Sequence, residues 1–413
     1  MEEAYITLPK GFKANGVSAG MKCSDPANIN KDDPRSSYLD VSLILSDLPC
    51  NVAGVYTSNL VKGHSLTRSI DIINSGKEVR GITVNSKVAN ACVGKIGVKD
   101  ADDIASSLAG KLGINPDEIL TASTGVIGTR LPVEKMIKVH DELVNGLSSD
   151  PESAHDAEYA MMTTDTVPKE VAASITLNGG QEVNIAAIAK GSGMIHPNLA
   201  TMISVFTTDV KADNKVLDKA LRAAVAHTFN RVSVDGDTSV CDSVIIMANG
   251  ASEAVIEDSS EDYKIFEEAL TGLSEDLARM IASDGEGATK FVEITVSGAK
   301  DADDAKLVVT SVARSPLVKT MIFGEDCNCG RVITAAGYSG ASFDPDKIDI
   351  RLNSLLTYEN GIAVDFDEDL AKKLLAGHDI KIEIILHEGD AFDRMYTCDF
   401  SYDYVKINGS YRS

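Results

Sequence analysis

Gly191-Ser192-Gly193-Met194-Ile195-His196-Pro197-Asn198-Leu199-Ala200-Thr201-Met202 stands near the midpoint of the chain and decides how the rest is read. Before it, Val183-Asn184-Ile185-Ala186-Ala187-Ile188-Ala189 has the apolar character of a buried strand. After it, Met202-Ile203-Ser204-Val205-Phe206-Thr207-Thr208 has the same character. A hydroxyl residue pinned between two rigid strands is held as a nucleophile must be held. Gly, Pro and Asn are also what an ordinary inter-strand loop contains, so composition alone leaves both readings open.

At 413 residues the chain is too long for one comfortable core, and two or three domains are expected. It is 44% hydrophobic and 24% charged, the balance of a folded soluble protein. A net charge of -23 argues against nucleic acid or an anionic membrane surface as partner. An anionic small substrate stays open, because one local Lys or Arg outweighs the distant average inside a pocket. The first residues are acidic where a signal peptide is basic, and no apolar run is long enough to span a bilayer. Seven scattered cysteines fit a reducing cytoplasm. The close pair Cys327-Asn328-Cys329 is too tight for zinc and lacks a second pair, and the histidines at 64, 140, 155, 227, 378 and 387 lack metal spacing. No metal is expected.

Outward from the central stretch, short strands are expected at residues 39–45, 52–57 and 81–85. Ile104, Leu108 and Leu112 lie on one face of a helix closed by Gly113. Residues 131–144 form a second helix, with Pro132 in its first turn and Gly146 at its exit. Between them, residues 119–128 read as a strand running into a small-residue loop, whose backbone N–H groups suit an anion or oxyanion. Helices are also expected at 215–230 and 263–281, and a short strand into a turn at 231–239; residues 244–250 are strand or buried helix. From Phe291 the pattern changes to strands at 291–297 and 307–311, a helix at 367–375 and an alternating strand at 380–386. A domain boundary is placed near residue 288.

With Lys190 added, the central stretch resembles the self-cleavage site of the ornithine acetyltransferase family, the glutamate N-acetyltransferases of arginine biosynthesis. Further strings follow in the family's order: Pro9-Lys10-Gly11-Phe12, Ser123-Thr124-Gly125-Val126-Ile127-Gly128, Thr163-Thr164-Asp165-Thr166, Ser233-Val234-Asp235-Gly236-Asp237-Thr238-Ser239, Asp284-Gly285-Glu286-Gly287-Ala288-Thr289-Lys290 and Gly330-Arg331-Val332-Ile333. The tail Asp403-Tyr404-Val405-Lys406-Ile407-Asn408-Gly409-Ser410-Tyr411-Arg412-Ser413 completes the series. The resemblance implies an α/β fold, a layered α-β-β-α sandwich with a smaller α+β C-terminal domain. The catalytic domain would span 1–287, and the domain at 288–413 would return its tail to the active site.

The same resemblance implies cleavage between Ala200 and Thr201, which makes Thr201 both an N-terminus and the nucleophile. The chemistry is reasonable, since a freed α-amine can serve as local base for its own hydroxyl and a peptide nitrogen cannot. Thr124 and Gly125 match the oxyanion hole, and Thr164, Lys190, Thr201, Glu286, Asn408 and Ser413 match the substrate-binding residues. The implied substrates are N2-acetyl-L-ornithine and L-glutamate, exchanged by ping-pong transfer. No cofactor is implied, and the processed α and β chains would assemble as an α2β2 heterotetramer in the cytoplasm. Lys190 suits a carboxylate, and Glu286 suits ornithine's side-chain ammonium or otherwise helps orient the amine. His196 is read as structural. Thr238 and Ser239 are an alternative hydroxyl pair, although turn capping is their more ordinary role.

Four positions depart from the family pattern: Cys329 replaces Trp, Val240-Cys241 replaces Thr-Asn, and Ser413 replaces a terminal Thr. An N-terminal-threonine amidase or aminopeptidase, another amine acceptor, and a bifunctional enzyme that also uses acetyl-CoA remain the competing functions.

Overall fold

The computed structural model describes residues 4–22, 34–196 and 202–410. Ala200, Thr201 and Ser413 lie outside the described residues. The chain divides into two compact units. The first comprises Met1–Gly191, Asn198–Asn230 and Asp237–Leu277; the second comprises Ser192–Pro197, Arg231–Gly236 and Ala278–Ser413.

In chain order the first unit contains β1 (Phe12–Val17), β2 (Val41–Tyr56), α1 (His64–Asn74), β3 (Val79–Asn85), α2 (Ile96–Leu112), β4 (Ile119–Ser123), α3 (Val133–Lys138), α4 (His140–Asn145) and α5 (Pro151–Met161). It continues with β5 (Glu170–Thr176), β6 (Glu182–Lys190), β7 (Ile203–Thr208), α6 (Asn214–His227), β8 (Ser243–Ala248) and α7 (Glu261–Ser283), whose last turns belong to the second unit. The strands run β4-β3-β2-β8-β7-β6-β5, with β1 paired to β2. The two strands expected at 39–45 and 52–57 are one strand, β2, which changes partners along its length. Val41 to Leu45 pair with β3, and Asn51 to Tyr56 pair with β8, with a register irregularity between. Such an interruption bends a strand and lets one sheet fold into two layers.

Side-chain alternation confirms the layering. Ile44, Val52, Ile82, Val84, Ile188, Val205 and Ile245 meet in one core between the layers. Leu43 and Leu45 face the other way, onto Ile104 and Leu108 of α2. Phe206, next to Val205, meets the Phe229 ring edge-on at 6.5 Å, just beyond α6. Helix α6 itself packs on β2. The unit is therefore an α-β-β-α sandwich. Burying a side chain such as the fully covered Leu108 contributes about 1.5–3 kcal/mol. The helix expected over 131–144 is two short helices, because the chain tightens at Val139, whose N–H bonds back to Met136 at i–3.

The second unit contains β9 (Phe291–Ala299), α8 (Ala302–Ala313), α9 (Pro316–Phe323), α10 (Cys329–Gly337), β10 (Asp349–Leu352), β11 (Leu355–Glu359), β12 (Ile362–Ala363), α11 (Glu368–Leu375), β13 (Asp379–Ile385), β14 (Ala391–Cys398) and α12 (Tyr402–Ser410). Its sheet runs β12-β11-β10-β13-β9-β14. Val308, Met321 and Val332 from three helices share a core with Ile294, Ile382 and Ile384. The expected strand at 307–311 is instead the middle of α8. Asp301 caps that helix by accepting the Asp304 N–H, and Ala305, Val308, Val309 and Val312 repeat at helical spacing on the buried face. The β-branched valines suggested a strand, but their spacing fits the helix. Residues 231–239 hold no regular strand; a single bridge joins Val232 to Tyr396. No described helix is long and apolar enough to cross a membrane.

Candidate active site

In the first unit, Thr124 and Gly125 follow β4 directly. Thr124 is buried, and its backbone N–H donates to the Asn85 carbonyl at 2.9 Å. That leaves its hydroxyl and the next N–H, at Gly125, with no hydrogen-bond partner among the described residues. Gly125 has φ +125, and a Cβ there would lie 2.2 Å from the Lys87 carbonyl carbon. Only glycine brings the two backbones this close. The neighbouring segment is strained as well, with positive φ at Lys87, Asn90 and Cys92. Behind the loop, Ser123 donates to the Asn85 side chain at 2.6 Å, and Ser65 lies 2.8 Å from Ser123. Two adjacent donors on a buried, braced turn can stabilise a negative oxygen.

Lys190 closes β6, almost fully buried. Its ammonium lies 3.8 Å from Asp165, in the loop that carries Thr164. Asp165 also accepts from Lys169 Nζ at 2.8 Å, the Thr163 N–H at 3.0 Å and the Gly191 N–H at 2.6 Å. Burial pushes the Asp165 carboxyl up, but Lys169, Lys190 and these hydrogen bonds outweigh it and hold it well below the usual carboxylate range. The acid thus ties the loop of Thr164 to Lys190 and to the start of the central stretch. Nearby, burial lowers the Lys22 ammonium to about 7. Asp165→Asn is expected to destabilise the protein by about 3–5 kcal/mol in urea unfolding, because it strands a buried cation. Because the folded pKa is depressed, the stability Asp165 supplies is fully present above the ordinary carboxylate value. It declines as pH falls through the acid range toward the folded pKa.

The second unit holds the other described residues that were expected to bind substrate. Asn408 on α12 donates to Glu286 Oε2 at 2.7 Å. Glu286 is buried, and its N–H bonds the Ser192 carbonyl at 2.9 Å. A Cβ at Gly193 would fall 2.3 Å from the Glu286 carboxyl, so glycine lets the central stretch pass that acid. Asp235 accepts the N–H groups of Met194 at 2.6 Å and Ile195 at 2.9 Å. His196 Nδ1 lies 3.1 Å from the Ser233 hydroxyl. Ser239 belongs to the first unit, where its carbonyl accepts from Thr57. Among the described residues no acidic, His or Cys cluster is placed to hold a metal.

The structure thus joins the loop of Thr164 to Lys190 through Asp165, and Glu286 to Asn408 and Ser192. It also reveals Asp165, Lys169 and Asp235, to which the sequence reading gave no role. Asp165 and Asp235 sat inside quoted strings, yet nothing in those strings said which distant N–H groups they would hold.

The sequence model of the ArgJ family matches residues 24–413. The arginine biosynthesis bifunctional protein of Caldanaerobacter subterraneus subsp. tengcongensis is 44% identical over 416 residues, covering 100% of this chain and 99% of its own. The Bacillus subtilis protein of the same description is 41% identical, covering 99% and 96%. Among solved structures, the Bacillus halodurans arginine biosynthesis bifunctional protein is 41% identical, covering 49% of this chain and 96% of its own, with a TM-score of 0.48. The Mycobacterium tuberculosis ornithine acetyltransferase complexed with ornithine is 32% identical over 48% of this chain and 98% of its own, with a TM-score of 0.41. A match running through the site strings to the last residue, at this identity, makes the chain a member of the ArgJ family, the acetyltransferases of arginine biosynthesis.

Proposed function

We propose that this enzyme cuts itself between Ala200 and Thr201 and then moves the acetyl group of N2-acetyl-L-ornithine to L-glutamate through an acetyl-Thr201 ester. The freed α-amine, with a reference pKa of about 7.7–8.0, takes the hydroxyl proton as Thr201 attacks the acetyl carbonyl. The proton then goes to the departing ornithine amine, and the amine of glutamate attacks the ester in the second half-reaction. The reading rests chiefly on the pair of donors after β4 that have no partner among the described residues, the Thr124 hydroxyl and the Gly125 N–H, in a chain of this family. Together they form the oxyanion hole, while Thr164, Lys190, Glu286, Asn408 and Ser413 bind substrate. Lys190 takes a carboxylate and Glu286 the ornithine ammonium. The domains at 1–287 and 288–413 act within an α2β2 assembly of the processed chains.

Mass spectrometry of enzyme mixed with acetylornithine alone tests the covalent step. One acetyl increment is expected on the chain that begins at Thr201, and it should vanish on adding glutamate. An increment on another residue would end this mechanism. Lys190→Met is expected to raise the substrate KM about tenfold or more with a smaller change in kcat, since a hydrogen bond to a charged group is worth about 1.5–3 kcal/mol. Steady-state kinetics with an unchanged KM would remove Lys190 from substrate binding.

The names of the relatives describe bifunctional proteins, which favours a second acetyl donor for this chain too. Labelled acetyl-CoA with glutamate and no acetylornithine should then yield labelled N-acetylglutamate.

A further inference from the structure

We infer that Asp242 is a positioning residue for the nucleophile, its buried carboxyl holding Met202, the next residue along the chain. The inference rests on the assignment of Thr201 above. Asp242 immediately precedes β8 and is fully buried. Its Oδ1 accepts the Met202 N–H at 3.2 Å, the amide of the bond that leaves residue 201. The next residue completes the grip, because the Ser243 N–H donates to the Met202 carbonyl at 3.0 Å. The Asp242 backbone is fixed in turn, since its carbonyl accepts the Thr57 N–H at 3.1 Å just past β2. Met202 is thus held from both sides at the point where β7 starts beside β8.

The other carboxyl oxygen carries the argument further. Oδ2 of Asp242 is buried with no hydrogen-bond partner among the described residues. A buried, unmet oxygen costs free energy, and a fold that needed only to anchor a strand end would gain nothing from it. Burial pushes the carboxyl well above the usual range, against the opposing pull of the Ser239 hydroxyl, the Met202 N–H and the Lys190 ammonium. One carboxyl oxygen thus holds Met202, while the other stays buried and unmet among the described residues. Asparagine offers the same acceptor and a donor in nearly the same shape; alanine offers neither.

The test uses the full-length chain and follows both cleavage, by intact mass against time, and acetyl transfer, by steady-state kinetics. Asp242→Asn is expected to remain within about threefold of the parent in both. Asp242→Ala is expected to lose on the order of 100-fold in kcat and to cut correspondingly slowly, with KM changed less than about threefold, as for a nucleophile moved by a fraction of an ångström. If Asp242→Ala does not fold, Asp242→Ser, which keeps a short donor and acceptor, takes its place with the same expectation of a kcat loss. Parent-like cutting and kcat in the folded Ala or Ser variant overturns the clamp. An Asn variant as slow as the Ala variant also overturns the clamp, because asparagine keeps the oxygen that accepts from Met202. Thr201→Ala made alongside separates the two readings. If Thr201→Ala is dead while Asp242→Ala is normal, only the clamp fails. If Thr201→Ala still cuts and transfers, the nucleophile assignment fails and takes the clamp with it.

Discussion

Thr201→Ala is expected to leave a single uncleaved species of 43.8 kDa and to lower acetyl transfer by at least about 10⁴-fold. The size of the loss follows from the double duty assigned to this residue. In the proposed scheme its hydroxyl opens the peptide bond before it, and the amine so released is the base for every later turnover. On that scheme, removing the hydroxyl removes nucleophile and base together. Intact mass and an exchange assay on the same preparation decide the matter. A cleaved Thr201→Ala chain, or an uncleaved one that transfers acetyl at the parent rate, would refute the activation scheme.

Gly125→Ala should produce the next largest effect, a fall in kcat of about 10²–10³-fold, the usual result of losing one oxyanion donor. The reason is steric before it is electronic. At φ +125, a methyl group would enter the Lys87 carbonyl 2.2 Å away, and that neighbour is backbone, which cannot swing aside like a flexible side chain. Either the loop lifts and turns its N–H, or the strained segment at Lys87 gives way. In the proposed mechanism, both displace the donor from where charge develops. Thermal unfolding with a modest shift, beside the large fall in kcat, is the expected pair of observations. A kcat within threefold of the parent would mean that this N–H does not face the reacting oxygen.

Much of the frame around these residues was readable in advance because it is local. The apolar runs at 183–189 and 202–208 became β6 and β7, the run into Ser123 became β4, and Ile104 with Leu108 does line the buried face of α2. Periodicity, turn residues and an ordered series of strings reside in neighbouring positions, and they carried the family and the location of the candidate site. What they misjudged was also local evidence, as in the valines of α8, where β-branching competed with helical spacing.

The pairing of distant residues could not be read this way. Nothing near Asp165 announces that its carboxyl will meet Lys190 and the Gly191 N–H, and nothing near Asp242 announces that it will hold Met202. Nor does the sequence of β2 state that one strand will serve two layers. Chain order alone thus determined the element types that local spacing encodes, the family, and which short stretches to inspect. Only tertiary structure decided which buried charges and N–H groups face one another, because a pairing across dozens of residues is fixed by how the sheet folds over and by what that burial forces polar groups to satisfy.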